Sequence, residues 1–281
     1  MNDKPKWIAL WGSITIVLVA ALWVNLGEVS GTLTMVLDRV RYPLQIFESS
    51  YAYAYLMIFS LFFPFVLSFD QKVHYRGSWK YLLSVFLWVS PLYILWDVLF
   101  TRWGIWEFNS QYTSGVRLWG LPLEEISFFL VVPFACIFIY ECVKAYQLRN
   151  YLGHWGIVTM RILIALGVGV SIMHFGGYYT STALIVLLMA WVGLEIKYSK
   201  EQKENIFLSI ILSYIPFIVV NGVLTGWSTE EPIVVYNDSE NLPWRLGSIP
   251  IDDTLYQAGM MLWMFIVYVG AKKVKKIFYF F

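Results

Sequence analysis

Two stretches of the chain place carboxylates where they can act in pairs. The first reads Asp97-Val-Leu-Phe-Thr101-Arg-Trp103 and then Leu121-Pro122-Leu-Glu124-Glu125; the second reads Asn221-Gly-Val-Leu-Thr225-Gly-Trp227 and then Ile249-Pro250-Ile-Asp252-Asp253. Thr101 to Glu124 is 23 residues and Thr225 to Asp252 is 27. In each copy a helix ends at Thr-x-Trp, a polar loop follows, and Pro-x-acid-acid opens the next helix. Adjacent carboxyls can hold one proton between them, so that one group is an acid while the other is a base. A single acid in a first helical turn is a common stabiliser, because it faces the positive end of the helix dipole, and proline is tolerated there because its missing N–H had no partner. Here the acids come as pairs in both copies and lead straight into apolar sequence, where ionisable groups are costly and usually functional.

The neighbours of these acids are aromatic and apolar. Glu125, Phe128, Phe129 and Val132 fall on one helical face. The second copy has Tyr256 and Gln257 at the places of Phe128 and Phe129, so the two sites are unequal. Asp97 interrupts the apolar run from Val85 to Phe100, a candidate functional acid, and its counterpart is the neutral Asn221. Trp103, Trp106, Trp119, Trp227 and Trp244 lie in the loops on the same face. Tryptophans commonly mark membrane interfaces, but a cluster can also line a pocket for a cation or an electron-rich ligand. The candidate catalytic residues are therefore Glu124, Glu125, Asp252, Asp253 and Asp97. The candidate substrate-binding residues are Trp103, Trp106, Phe128, Phe129, Asn221, Trp227 and Tyr256.

The elements that must position these residues are membrane helices. Of 281 residues, 59% are hydrophobic and only 14% charged, against about 25% charged in soluble domains, and mean hydropathy is +0.62. Segments of roughly 20 apolar residues can cross a bilayer. Eight are expected, near 7–26, 51–69, 81–101, 122–143, 156–175, 178–196, 206–226 and 252–271. The first lacks a small-residue cleavage site and reads as a retained helix. Fifteen of the 20 Lys and Arg, including Lys72, Arg76, Lys144, Lys200 and the run from Lys272 to Lys276, fall on the N-terminal side of this arrangement. That bias predicts an integral, multi-pass cell-membrane protein with both termini cytoplasmic.

The expected fold is an all-α polytopic bundle of about eight spans, with two parallel three-helix repeats joined by a linking helix. Its organisation is a 1–50 transmembrane extension and a 51–281 core, composed of repeat 51–150, linking helix 156–175 and repeat 177–281. Cys136 and Cys142 have neither disulfide nor metal spacing and read as packing residues. His74, His154 and His174 are scattered, which argues against a di-iron site, and no G-x-G-x-x-G follows a strand. No cofactor, metal or nucleic-acid partner is expected. The run from Lys272 to Lys276 suits an anionic lipid surface.

Asp97-x₃-Thr-x-Trp, Trp106-x-Phe-Asn109 and Pro122-Leu-Glu-Glu-x₃-Phe-Phe129 together resemble the lycopene cyclase domain of the bacterial heterodimeric, archaeal and fungal type, here as one fused chain. The resemblance covers about 51–271. The second half departs from it, with Asp252 where a Glu is usual. The helix arrangement is also similar to UbiA-like prenyltransferases, although Asp97/Thr101 and Asn221/Thr225 would make a poor Mg²⁺ cage. The resemblance implies a non-redox, acid–base cyclisation of the ends of lycopene to ionone-type rings, most simply β, by an isomerase of the intramolecular lyase kind. It further implies Glu124/Glu125 as acid and base, Asp252/Asp253 as a second pair, and Asp97 as an orienting partner. The expected partners are lycopene or a related linear carotenoid, membrane lipid and other carotenoid enzymes. The competing expectations are a Mg²⁺-dependent prenyltransferase and a carotenoid-binding or transport protein.

Overall fold

The computed structural model describes residues 44–173 and 177–278. The first expected span, most of the N-terminal extension and His174 lie outside the described residues. Eight α-helices are present among them: α1 (Ala52–Leu67), α2 (Trp79–Trp88), α3 (Ser90–Arg102), α4 (Leu123–Ala145), α5 (Arg149–Met173), α6 (Tyr178–Lys197), α7 (Lys200–Leu224) and α8 (Ile251–Phe278). Six stretches are long and apolar enough to cross a membrane, with α2 and α3 counting as one through Tyr75–Arg102. At 16 residues α1 is shorter; it ends beyond Pro64 and carries exposed Phe59, Phe62 and Phe63. Apolar side chains of that size turned outward are what a helix facing lipid requires. The span expected at 81–101 is broken at Val89, because Pro91 follows in the first turn of α3 and has no N–H to donate backward.

The repeat governs the packing. Helix α1 packs on α4 and α6 on α8; α7 packs on α4 and α2 on α8. Helix α5 lies mainly along α7, between the halves in sequence. Away from the acid motifs, two ion clusters tie helices together. Glu141 on α4 accepts from Lys272 Nζ at 2.6 Å and from Tyr268 Oη at 2.9 Å, both on α8. Glu195 on α6 accepts from Arg161 of α5 at 2.8 Å and Lys203 of α7 at 2.6 Å. Cys136 is buried, Cys142 is partly so, and both are free thiols.

At the opposite end short strands shape the loops: β1 (Trp106–Phe108), β2 (Arg117–Leu118), β3 (Leu121–Pro122), β4 (Val234–Tyr236), β5 (Arg245–Leu246) and β6 (Ile249–Pro250). β2 pairs with β3 and β5 with β6 in the same register, Arg117 opposite Pro122 and Arg245 opposite Pro250. Each hairpin thus ends on the proline of its Pro-x-acid-acid motif, and the helix begins one residue later. The turns differ. Trp119 and Gly120 both have positive φ, whereas in the second hairpin Gly247 has positive φ. Gly247 is also pressed by Trp227, whose ring lies 2.7 Å from where a Cβ would sit. β1 pairs antiparallel with β4, Trp106 opposite Tyr236 and Phe108 opposite Val234. This ribbon joins the loop of one half to the loop of the other.

Candidate active site

The N-termini of α4 and α8 and the C-termini of α3 and α7 converge beneath the loop ribbon. Glu124 and Glu125 occupy the first turn of α4, Asp252 and Asp253 the first turn of α8, and all four are buried. The two members of each pair part company. Glu124 Oε1 accepts from the Ser114 amide at 2.8 Å, and Asp252 Oδ2 accepts from the Leu242 amide at 2.9 Å. Both first acids therefore clasp the loop that precedes their own helix. Asp252 gains a second donor, Thr180 Oγ1, at 2.5 Å.

The second acids, Glu125 and Asp253, line a cavity of about 60 Å³ together with Asp97. Each receives a phenol from the helix that opens its half: Tyr53 Oη donates to Glu125 at 2.5 Å and Tyr179 Oη to Asp253 at 2.6 Å. Asp253 takes two donors more, Asn221 Nδ2 at 2.7 Å and Tyr236 Oη at 2.9 Å. Burial and the Asp253 carboxylate push the Tyr236 phenol well above its usual value, so it remains a hydrogen-bond donor. Asp97 accepts from Trp106 Nε1 at 2.5 Å, and its carboxyl is an electrostatic neighbour of Glu125. Three acids from both halves thus face one small volume.

Aromatic rings wall this volume. The centroids of Trp106 and Tyr179 are 5.1 Å apart, and Tyr256 lies 6.1 Å from Tyr179 and 6.4 Å from Trp106. Phe128, Phe217, Asn221 and Gln257 form a wall shared with a second, larger space of about 410 Å³ between α1, α4 and α7. That groove is lined mainly by apolar residues, among them Phe63, Val132, Ala135 and Val220.

Of the residues expected from sequence, Glu125, Asp253, Asp97, Trp106, Phe128, Asn221 and Tyr256 are brought together at the cavity. Glu124 and Asp252 stand behind it in their first helical turns, bound to the loop amides of Ser114 and Leu242. Phe129 is buried but packs toward Tyr93, at 6.4 Å between centroids. Trp103 is 62% exposed at the end of α3. Trp227 fills the gap between Gly222 and Gly247, where its ring stands in for the Cβ atoms those glycines lack. Sequence reasoning missed Tyr53, Tyr179 and Tyr236. The first two could have been found from the repeat, since each opens the first helix of its half; Tyr236 sits in a loop strand with no signal of its own. Among the described residues, no group of three or more His, Cys, Asp or Glu side chains is arranged to hold a metal ion.

A family model described as lycopene cyclase matches residues 50–143 and 177–270, more than half of the chain. The two segments coincide with the two halves and omit α5. The chain is 25% identical to a bifunctional lycopene cyclase/phytoene synthase of Aspergillus niger over 178 residues, 57% of this chain and 29% of that protein. It is 28% identical to one from Arthroderma gypseum over 131 residues, covering 38% and 21% of the two chains. With the protein of the same description from Aspergillus oryzae it shares 24% over 172 residues, or 56% and 29%. The match thus spans less than a third of the length of these relatives. No solved structure matches the chain.

Proposed function

The chain belongs to the lycopene cyclase family, and from that premise we propose that it closes the linear ends of lycopene, or of a closely related carotenoid, into six-membered rings by acid–base chemistry without net oxidation. The observation that carries this reading is the meeting of Glu125, Asp97 and Asp253 in an aromatic-walled cavity that adjoins an apolar groove. A hydrocarbon polyene needs an apolar groove for its chain, one proton at its end, and shelter from water.

Glu125 is the proton donor in this mechanism. Its proton goes to the terminal double bond, leaving a tertiary cation. The π electrons of an internal double bond attack that cation, forming the ring's new carbon–carbon bond and moving the charge into the ring. Loss of a ring proton to a carboxylate restores a double bond. One proton is added and one removed, so the product is an isomer, in keeping with an intramolecular lyase. Asp97, beside Glu125, is the partner through which the proton is held and recovered. Positioned proton transfer of this kind contributes about 10²–10⁴-fold. Asp253, gripped by Tyr179, Tyr236 and Asn221, serves as a fixed counter-charge. The faces of Trp106, Tyr256 and Phe128 add cation–π stabilisation. Glu124 and Asp252 position the loops that exclude water from the cation.

The β ring is the product we expect, and the proton lost in the last step decides it. Most described basic side chains, among them Lys72, Lys144, Lys203 and Lys272, lie at the helix ends away from the acid cavity. This supports placing those ends on the cytoplasmic side, and the Lys and Arg bias along the sequence extends the same proposal to both termini. The organisation proposed for the whole chain remains an extension followed by a two-repeat core. The test is expression in lycopene-accumulating cells with chromatography of the pigment. Conversion to a cyclic carotenoid is expected, and unchanged lycopene in the presence of folded protein refutes the reading.

A further inference from the structure

The repeat that duplicates the acids also duplicates the groove. A second apolar space of about 460 Å³ lies between α2, α3, α6 and α8, the helices equivalent to those around the first. Two bulky residues distinguish it. Where the first groove has Val220 and Ala135, the second has Trp96 and Trp263. Trp263 is pinned by its Nε1 donating to the Val186 carbonyl at 3.3 Å. Trp96 stacks edge-on against Tyr256, the cavity wall, at 5.0 Å, and Tyr93 meets the same ring at 5.3 Å. The first groove shares four wall residues with the acid cavity; the second shares none among the described residues.

Resting on the activity proposed above, we infer that a linear polyene reaches the acids by the α1/α4/α7 groove alone, with Val220 and Ala135 setting its bore, and that Trp96 and Trp263 close the duplicate route. A substrate with two open ends can then present only one end per visit. It must leave, reverse and re-enter for a second ring, so a one-ringed carotenoid is released before any two-ringed product forms.

The experiment uses the full chain in lycopene-containing membranes, with products followed chromatographically and detergent melting curves as the check on folding. Val220→Trp and Ala135→Trp, or Val220→Phe and Ala135→Phe where the larger ring prevents folding, should each slow first-ring formation at least tenfold. Trp96→Val and Trp263→Ala should leave it within twofold. Folded groove variants that keep the wild-type rate overturn the inference, as does an equal loss from the Trp96 and Trp263 variants, or two-ringed product with no free one-ringed precursor. The visible absorption shift of lycopene on adding purified protein reads the groove without turnover. Wild-type protein that binds but forms no ring, while Val220→Trp fails to bind, would sink the proposed activity and keep the single entrance. Equal binding by both would sink the entrance.

Discussion

Glu125 and Asp253 occupy equivalent first-turn positions, and each takes a phenol from an equivalent tyrosine, yet their surroundings diverge from there. Asp253 accepts from Tyr179, Tyr236 and Asn221. Among the described residues Glu125 accepts a hydrogen bond from Tyr53 and has the acids Asp253 and Asp97 as neighbours, Asp97 standing where the second half has Asn221. Asn221 in place of an acid, together with the Tyr236 phenol, thus gives Asp253 three donors where Glu125 has one, and in the mechanism proposed above it is Glu125 that exchanges the proton. The lesson is that the repeat supplies a shared frame, and a few contact residues give its two acids different surroundings. The same holds at the grooves, where Trp96 and Trp263 line one space and Val220 and Ala135 the other.

The strongest way to break this comparison is Glu125→Gln against Asp253→Asn. The first should lower ring formation by about a hundredfold or more, with less effect on melting than the second, which leaves three buried donors facing an amide. Equal rate losses at matched stability would mean that the halves share the chemistry. Asp97→Asn makes the first half resemble the second. Loss of a charge-assisted hydrogen-bonding partner, about 1.5–3 kcal/mol, should cost the rate about ten- to a hundredfold, read from initial product formation. A variant with unchanged rate would remove Asp97 from the proton path.

Smaller effects sharpen the structural side. Gly247→Ala meets both a positive φ and the Trp227 ring, whereas at Gly120 nothing lies within 4 Å of an added Cβ. Thermal melting in detergent should show a loss of about 1–3 kcal/mol for the former and about 1 kcal/mol for the latter. The smallest difference is expected between the loop clasps. Asp252→Asn disturbs two bonds and Glu124→Gln one, so the Asp252 variant should be less stable by about 1 kcal/mol, and the reverse order would contradict the additional role of Thr180.

Much of the frame was legible in the residues, because membrane helices announce themselves by length and composition and because the chain repeats its own motif. The position of Glu124 was not. Two adjacent acids on a helix point about 100° apart, and sequence adjacency hides which of them faces the cavity and which turns to the loop. Trp103 and Trp227 share a motif position, but one is exposed and the other fills a gap left by two glycines; only three-dimensional packing separates those fates. Tyr236 reaches Asp253 because β1 pairs with β4 across the halves, a long-range contact with no local pattern.

That ribbon has a consequence for timing. Asn109 N donates to Ile233 O and Asn237 N to Ile105 O, both at 2.9 Å, extending the pairing past the strand ends. The two loops therefore make one roof, and loosening either half's loop strains its partner. A carbocation survives only until a water molecule arrives, so its lifetime depends on the slower fluctuations of a cover anchored in both halves. In the proposed mechanism, fidelity to the ring product over quenched alcohol then becomes a joint property of both halves, even though Glu125 of one half supplies the proton.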